Sequence, residues 1–176
     1  MAEKTLASSY SALVWQIVQA SHKPLTFREN LGRVEQLRPI ATRSPEQTIR
    51  NAISACALIV NTGDGRFGWF PRLLQSARVR VMLHPPELES KHIVFGNEVR
   101  DLLWPSFFAN QALRDQSPIR LHLPTGLETM LPLNFFGEGV WGTEGTTALW
   151  QWLAQNEPVE GDALLIEAIN AEGRDY

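Results

Sequence analysis

The charged residues of this chain are distributed unevenly, and this asymmetry restricts its architecture more than any other feature. Residues 1–80 contain 11 Lys and Arg and 5 Asp and Glu, whereas residues 81–176 contain 5 and 14. The net charge of −3 hides the difference between the two halves. Together with a change in sequence pattern, the asymmetry predicts two domains, at residues 1–75 and 76–176, of which only the first faces a polyanion.

The composition is that of a globular protein, with 44% hydrophobic and 20% charged residues. There is no run of eighteen apolar residues, and the N-terminus lacks a cationic stretch followed by an apolar segment. We therefore expect a cytoplasmic protein that does not contact membrane. The single cysteine, Cys56, excludes an internal disulfide and a cysteine-based zinc site within one chain, and we expect no cofactor.

Apolar residues at helical spacing predict two helices before Pro39. The first begins near Ser8 or Ser9 and ends before Pro24, because proline cannot continue the hydrogen bonds of a helix. The second begins at a capping box over residues 26–29, in which a threonine hydroxyl and a glutamate carboxylate satisfy exposed N–H groups. The predicted inner face of this helix consists of Phe27, Leu31, Val34 and Leu37.

A third helix is predicted from Ser44 to about Ala57. Residues 44–47 have the capping-box pattern, with a proline at the first helical position. The predicted inner face consists of Ile49, Ala52, Ile53 and Cys56, so the thiol is expected to be buried. The outer face is polar and rich in hydrogen-bond donors, which suits contact with base edges and phosphates.

Residues 58–61 and 66–70 are short β-type segments, and the glycines of residues 62–65 permit a tight turn between them. Three helices followed by a hairpin predict a winged helix-turn-helix, whose third helix lies in a major groove of duplex DNA. The alternative is a solvated helix face, and the nearby cations favour DNA. The predicted DNA contacts are Arg43, Ser44, Gln47, Thr48, Arg50, Asn51, Ser54 and Arg66.

The segment from about residue 10 to residue 72 resembles the HARE-type winged helix-turn-helix. Three stretches carry the resemblance, at residues 20–26, 44–53 and 65–69. This module occurs in restriction systems, in chromatin-associated proteins and in the delta subunit of bacterial RNA polymerase. The resemblance implies work linked to DNA, although some members of the family serve as protein-contact modules.

Residues 76–176 predict a small β-barrel-like domain with two short helices, which makes the whole chain α+β. The predicted strands are residues 78–83, 92–95, 119–123, 129–133 and 163–169. Helical segments are predicted near residues 98–103 and 106–113, and a helix at residues 146–155. The predicted inner residues of the last helix include Leu149, Trp152 and Leu153.

The second half also resembles the plant-type DNA-binding pseudobarrel, known as the B-three fold, through residues 95–99, 104–108, 149–153 and Gly161-Asp162. Related barrels occur in certain restriction enzymes. This sequence departs from that family in charge, because residues 134–142 contain no cation where the family presents basic arms. We expect the second half to read a further feature, such as a modified or displaced base, or to recruit a partner.

No catalytic or metal site is predicted. The four histidines have no ligand pair at helical spacing, and Glu89-Ser90-Lys91 matches only the last part of a metal-dependent nuclease signature. Two functions therefore remain open. The first is a non-enzymatic DNA-binding protein of a transcription or restriction/defence system. The second is a protein-interaction module whose acidic half contacts a basic partner. The sequence contains no long coiled-coil helix and does not indicate the oligomeric state.

Overall fold

The computed structural model describes residues 9–108 and 115–176, and it divides the chain into two compact units, Met1–Leu73 and Leu74–Tyr176. Helices and small antiparallel sheets make up both units, so the fold class is α+β. The first unit carries nine Lys and Arg against five Asp and Glu, and the second carries seven against fourteen. No helix in the described ranges is long and apolar enough to cross a membrane.

The first unit packs three main helices with a three-stranded antiparallel sheet. Its elements are α1 (Tyr10–Ala20), β1 (Leu25–Thr26), α2 (Phe27–Leu37), α3 (Pro45–Ser54), β2 (Ile59–Asn61), β3 (Arg66–Trp69) and the single turn α4 (Phe70–Leu73). The strand order is β1-β3-β2, with β3 in the centre. Helix α1 contacts both α2 and α3, so that Val14, Val34 and Ile49 are all fully buried in one core. Strand β1 was not predicted, because two residues are too few to show an alternating pattern.

Local hydrogen bonds explain where the helices begin. The Ser9 hydroxyl caps α1, and α2 begins at a complete capping box in which Thr26 and Glu29 exchange hydrogen bonds, as predicted. The capping box predicted at Ser44 is wrong, because the Ser44 side chain caps nothing and its carbonyl instead accepts from the Thr48 hydroxyl at 3.1 Å. Helix α3 ends at Ser54, earlier than predicted, since the next turn tightens with a bond from Cys56 N–H to the Ile53 carbonyl.

Of the four residues predicted to form the inner face of α2, only Val34 is fully buried, and Phe27 and Leu31 are half-buried. Leu37, predicted to be buried, is 64% exposed at the end of the helix, whereas Asn30 is fully buried. The Asn30 side-chain nitrogen donates to the Thr26 carbonyl at 3.1 Å, so the amide N–H group has a hydrogen-bond partner inside the core. A pattern of apolar residues does not indicate a buried asparagine of this kind. Ile49, Ala52 and Ile53 form the buried face of α3 as predicted, and Cys56 is buried as well, although it lies just beyond the end of the helix.

The second unit contains seven strands and four helices in its described residues. They are β4 (Arg78–Met82), α5 (Pro85–Ser90), β5 (Ile93–Phe95), α6 (Asn97–Leu103), α7 (Pro105–Phe108), β6 (Ile119–His122), β7 (Glu128–Leu131), β8 (Asn134–Gly137), β9 (Val140–Thr143), α8 (Thr147–Asn156) and β10 (Ala163–Glu167). The sheets are β10-β4, β5-β9-β8 and β6-β7, all antiparallel. Ile93, Leu103, Ile119 and Leu149 are among its fully buried side chains.

The predicted barrel with two helices is wrong in two respects. The described strands form no closed barrel, because closure requires pairing on both edges of every strand and β5 and β8 each pair on one edge only. Helix α5 was not predicted because its six residues are too few to show a helical period. The β8–β9 hairpin was not predicted because the positive-φ glycines Gly137 and Gly139 interrupt its alternation. The end of the predicted 106–113 helix lies outside the described residues.

Tyr176 is anchored inside the second unit. Its side chain is 4% exposed, and its hydroxyl donates to the carbonyls of Leu102 and Leu103 at 3.1 Å, at the end of α6. Burial raises the pKa of the phenol above its ordinary value, and the Arg174 cation offsets this only in part. The folded state therefore favours the protonated phenol. This contribution to the free energy of unfolding is lost as the pH rises into the alkaline range.

Replacing Tyr176 by phenylalanine is expected to lower the free energy of unfolding by about 1 kcal/mol at pH 8, because the Leu102 and Leu103 carbonyls lose their donor. This deficit shrinks above pH about 10, the unfolded-state pKa of tyrosine, since the intact protein then begins to lose the contribution of its protonated phenol. Urea unfolding of both proteins between pH 8 and 11 measures the difference. A deficit that stays constant across this range contradicts the prediction.

Candidate nucleic-acid interface

The outer face of α3 is open to solvent. Gln47, Arg50, Asn51 and Ser54 are exposed, and Thr48 is half-buried beside them. The Gln47 amide donates to the Asn51 side-chain oxygen at 2.7 Å, which links two amide groups one turn apart on the helix. Helix α3 therefore presents a row of polar groups on the side opposite its buried Ile49 and Ile53.

Arg50 is held in place by an aromatic ring from another helix. Its guanidinium carbon lies 4.4 Å from the centroid of the Phe27 ring, within the range of a cation–π interaction. Phe27 is the first residue of α2, so the cation of α3 lies over the beginning of α2. Phe27 was predicted to be a core residue. Its ring is instead half-buried and contacts the exposed guanidinium of Arg50.

Arg66 lies next to the same part of the chain. Strand pairing places Arg66 opposite Thr26, and its guanidinium Nη1 donates to the Pro24 carbonyl at 3.4 Å. Arg50 contacts Phe27 and Arg66 contacts Pro24, so two cations that are 16 positions apart in sequence flank one segment of four residues, 24–27. The tertiary structure thus brings together the α3 cation and the β3 cation of the predicted set.

The remaining predicted residues occupy the two ends of α3. Arg43 is exposed in the loop before α3 and makes no ion pair with any described residue. The Thr48 hydroxyl lies 2.9 Å from that of Thr42 and bonds the Ser44 carbonyl, so Thr48 holds the loop against the helix. Ser54 lies at the far end of α3, about 15 Å from Ser44 by the rise of a ten-residue helix.

A carboxylate at the β2–β3 turn accompanies Arg66. Asp64 accepts from the Thr62 hydroxyl at 2.6 Å and from the Arg66 backbone N–H at 3.1 Å, and its carboxylate lies 3.3 Å from the Arg66 Nε. The bond from Thr62 is the main cause that lowers the pKa of Asp64. Asp64 therefore stays ionised at neutral pH and offsets part of the charge of Arg66, a pairing that a count of cations overlooks.

Glu29 is a second acid near these cations. The Thr26 backbone N–H, followed by the Thr26 hydroxyl, lowers the pKa of the Glu29 carboxyl, and the charges of Arg66 and Arg33 act weakly in the same direction. Glu29 is occupied as the capping residue of α2. The Glu29 carboxylate is thus close enough to interact with the charges of both Arg66 and Arg33. Arg33 of α2 was not among the predicted contacts.

Within the described ranges, no group of three or more His, Cys, Asp or Glu residues is arranged to hold a metal ion. Comparisons with protein-family models, with curated proteins and with solved structures found no match to this chain. The positions of Arg50 and Arg66 beside residues 24–27, with the exposed Arg43 in the loop before α3, are therefore the basis on which its function is inferred.

Proposed function

We propose that the first unit is a winged helix-turn-helix of the HARE type that binds double-stranded DNA, and that the protein serves a transcription or restriction/defence system without catalysis of its own. Support for the fold comes from three helices followed by the β2–β3 hairpin, whose strand β3 also pairs with β1. Support for the ligand comes from one observation above all. Arg50 and Arg66, on separate elements, flank the same segment at residues 24–27.

Each predicted contact has a role in this proposal. Helix α3 enters the major groove, where the linked amides of Gln47 and Asn51 face base edges. Arg43 and Arg50 contact phosphates on either side of the groove, and Arg66 in the hairpin contacts the adjacent backbone. Ser44, Thr48 and Ser54 fix the loop and offer hydroxyls to the phosphates at the ends of the helix.

Fluorescence anisotropy of the full chain with a labelled duplex at increasing potassium chloride tests this proposal. We expect binding at low salt, with the logarithm of the association constant falling linearly against the logarithm of salt concentration by roughly 0.9 for each phosphate contacted. A labelled single strand of the same sequence is the comparison, and Arg43→Ala/Arg50→Ala should weaken its binding to the full chain less than that of the duplex. Absence of duplex binding at low salt would overturn the proposal.

The second candidate function is that of an interaction module, and an exposed phenylalanine at the edge of a half-buried aromatic cluster in the second unit favours it. Phe135 is 56% exposed, and its ring centroid lies 4.8 Å from that of Trp141, which also contacts Phe107 and Phe108. Exposed aromatic residues are typical of protein interfaces. The excess of acids in this unit favours a basic partner.

A photo-crosslinking residue at position 135 tests this second candidate, with position 127 as the control because Leu127 is equally exposed, at 59%. The interaction module is supported if one basic protein is crosslinked from position 135 alone and remains bound after nuclease treatment. Equal crosslinking from both positions contradicts it.

A further inference from the structure

A cleft in the second unit lies between the turn from α5 to β5 and the first turns of α8. We call it the Lys91–Trp150 cleft; its volume is about 760 Å³, within the range of small-molecule sites. Ser90, Lys91 and His92 line one wall, and Glu144 to Thr147 with Trp150 and Gln151 line the other. A smaller apolar cavity of about 270 Å³ shares Lys91 and Trp150 with it.

The indole of Trp150 is held in one orientation in this cleft. Its Nε1–H donates to the Glu144 carbonyl at 2.6 Å, and Gly145 lies so close that an added Cβ would be 2.7 Å from Nε1. Gly145 also has a φ of +68°, a conformation that favours glycine. A flat apolar ring is thereby fixed across the cleft before any ligand arrives, which lowers the entropy lost on binding.

Lys91 occupies a position where a lysine is costly. It follows the last residue of α5 with φ 55° and ψ 43°, the left-handed conformation that helix ends usually assign to glycine. Its side chain is exposed and makes no ion pair with the described residues, although its unit carries fourteen acids. Lys91 therefore places beside the cleft a cation that no described acid neutralises.

The other polar groups of the cleft divide into occupied and available ones. The Ser90 hydroxyl donates to the Pro86 carbonyl, and the Thr146 hydroxyl pairs with that of Thr129. Gln151 and Thr147, which lie one turn apart on α8, form no side-chain bond among the described residues. The groups available to a ligand are therefore the Lys91 ammonium, the Gln151 amide, the Thr147 hydroxyl, the Glu144 carboxylate, the Trp150 ring and the His92 imidazole, which contacts the Phe136 ring.

We propose that the Lys91–Trp150 cleft binds one unpaired nucleotide, with its base stacked on Trp150 and its phosphate paired with Lys91. A base has the flat π-face that stacks on an indole, and the phosphate of the same nucleotide is an anion that a lysine ammonium binds. The Gln151 amide both donates and accepts, as a base edge requires. The Glu144 carboxylate repels a phosphate, which places the phosphate at the Lys91 wall and an amino group of the base near Glu144.

Titration of the full chain with the four deoxynucleoside monophosphates, and separately with a single strand of about 12 nucleotides, tests the proposal. The readout is the indole N–H signals of the six tryptophans in an NMR spectrum. We expect one tryptophan signal, assigned to Trp150 by substitution, to shift with saturation. Saturation by monophosphates identifies a free nucleotide as the ligand, and saturation by the strand alone identifies a nucleotide within single-stranded nucleic acid.

Lys91→Gly separates binding from folding. We expect about tenfold weaker nucleotide binding from loss of a charge-assisted bond, while stability stays equal or rises because glycine relieves the left-handed conformation. Arg80→Gln, which removes one exposed cation from the same unit, is the matched control and should leave nucleotide binding unchanged. Duplex binding by the first unit should be unaffected by Lys91→Gly. No saturable shift with either probe, or equal weakening by both variants, overturns the proposal.

Discussion

The double variant Arg43→Ala/Arg50→Ala is expected to bind duplex DNA about 10- to 100-fold more weakly than the intact chain at physiological salt. Both side chains are exposed, and neither makes an ion pair among the described residues, so their full charge is available to phosphates. The slope of log affinity against log salt should become shallower by about 1.8, or 0.9 for each lost contact. Anisotropy with one duplex over a series of salt concentrations gives both quantities.

The matched control removes two cations from the second unit, Arg78 and Arg80 of β4, which are exposed and lie outside the proposed interface. This Arg78→Ala/Arg80→Ala variant changes the net charge of the chain equally and should retain the affinity and the salt slope. Arg66 is left in place because Asp64 already offsets part of its charge. Equal losses in both double variants would show that duplex binding depends on total charge alone, and would contradict the interface.

Replacing Gly142 by alanine is expected to destabilise the second unit by about 3 kcal/mol or more. Gly142 lies in β9 and pairs with Val94 of β5 and Asn134 of β8. An added Cβ would overlap the carbonyl oxygen of Ile93 and approach the Phe136 ring to 2.8 Å. Because the first obstacle is backbone, relief requires separation of β5 from β9.

Gly96→Ala is the control for this substitution, since Gly96 lies in the same unit and an added Cβ there has open space and an ordinary φ. Urea unfolding should show a large loss of stability for Gly142→Ala and a loss of no more than about 1 kcal/mol for Gly96→Ala, which replaces the N-cap residue of α6. Since β5 and β9 lead to opposite walls of the Lys91–Trp150 cleft, Gly142→Ala should also abolish the Trp150 response to nucleotide. Equal unfolding midpoints for both variants would show that the sheet accommodates the methyl group.

Helices whose first residues carry a capping signal could be predicted from the sequence. Strand pairings between distant segments could not. Thr26 and Glu29 predict the start of α2 correctly because a capping box closes within four residues. Ser44 has the same pattern but does not cap, because its backbone, at φ −137° and ψ 81°, lacks the extended conformation of the capping residues Ser9 and Thr26. In the second unit the β6–β7 hairpin is local, whereas the pairing of β4 with β10 and of β5 with β9 joins distant segments, which alternation does not indicate.

The candidate interface shows the same division between local and distant contacts. The outward side of α3 follows from its period, since Ile49 and Ile53 face the core and Gln47, Arg50 and Asn51 then face solvent. The support of Arg50 by Phe27 and the compensation of Arg66 by Asp64 required a structure. The Lys91–Trp150 cleft had no sequence signal either, because its walls are more than 50 residues apart in sequence.

The sequence by itself determined the two opposite charge balances, the three helices of the first half and the polar outer face of Ser44–Ser54, because charge and helical period are local properties of the chain. Only the tertiary structure decided that Arg50 and Arg66 flank one segment, that the strands of the second unit form separate sheets and that Lys91 shares a cleft with Trp150. These are contacts between residues far apart in sequence, and they form only when the core of each unit packs.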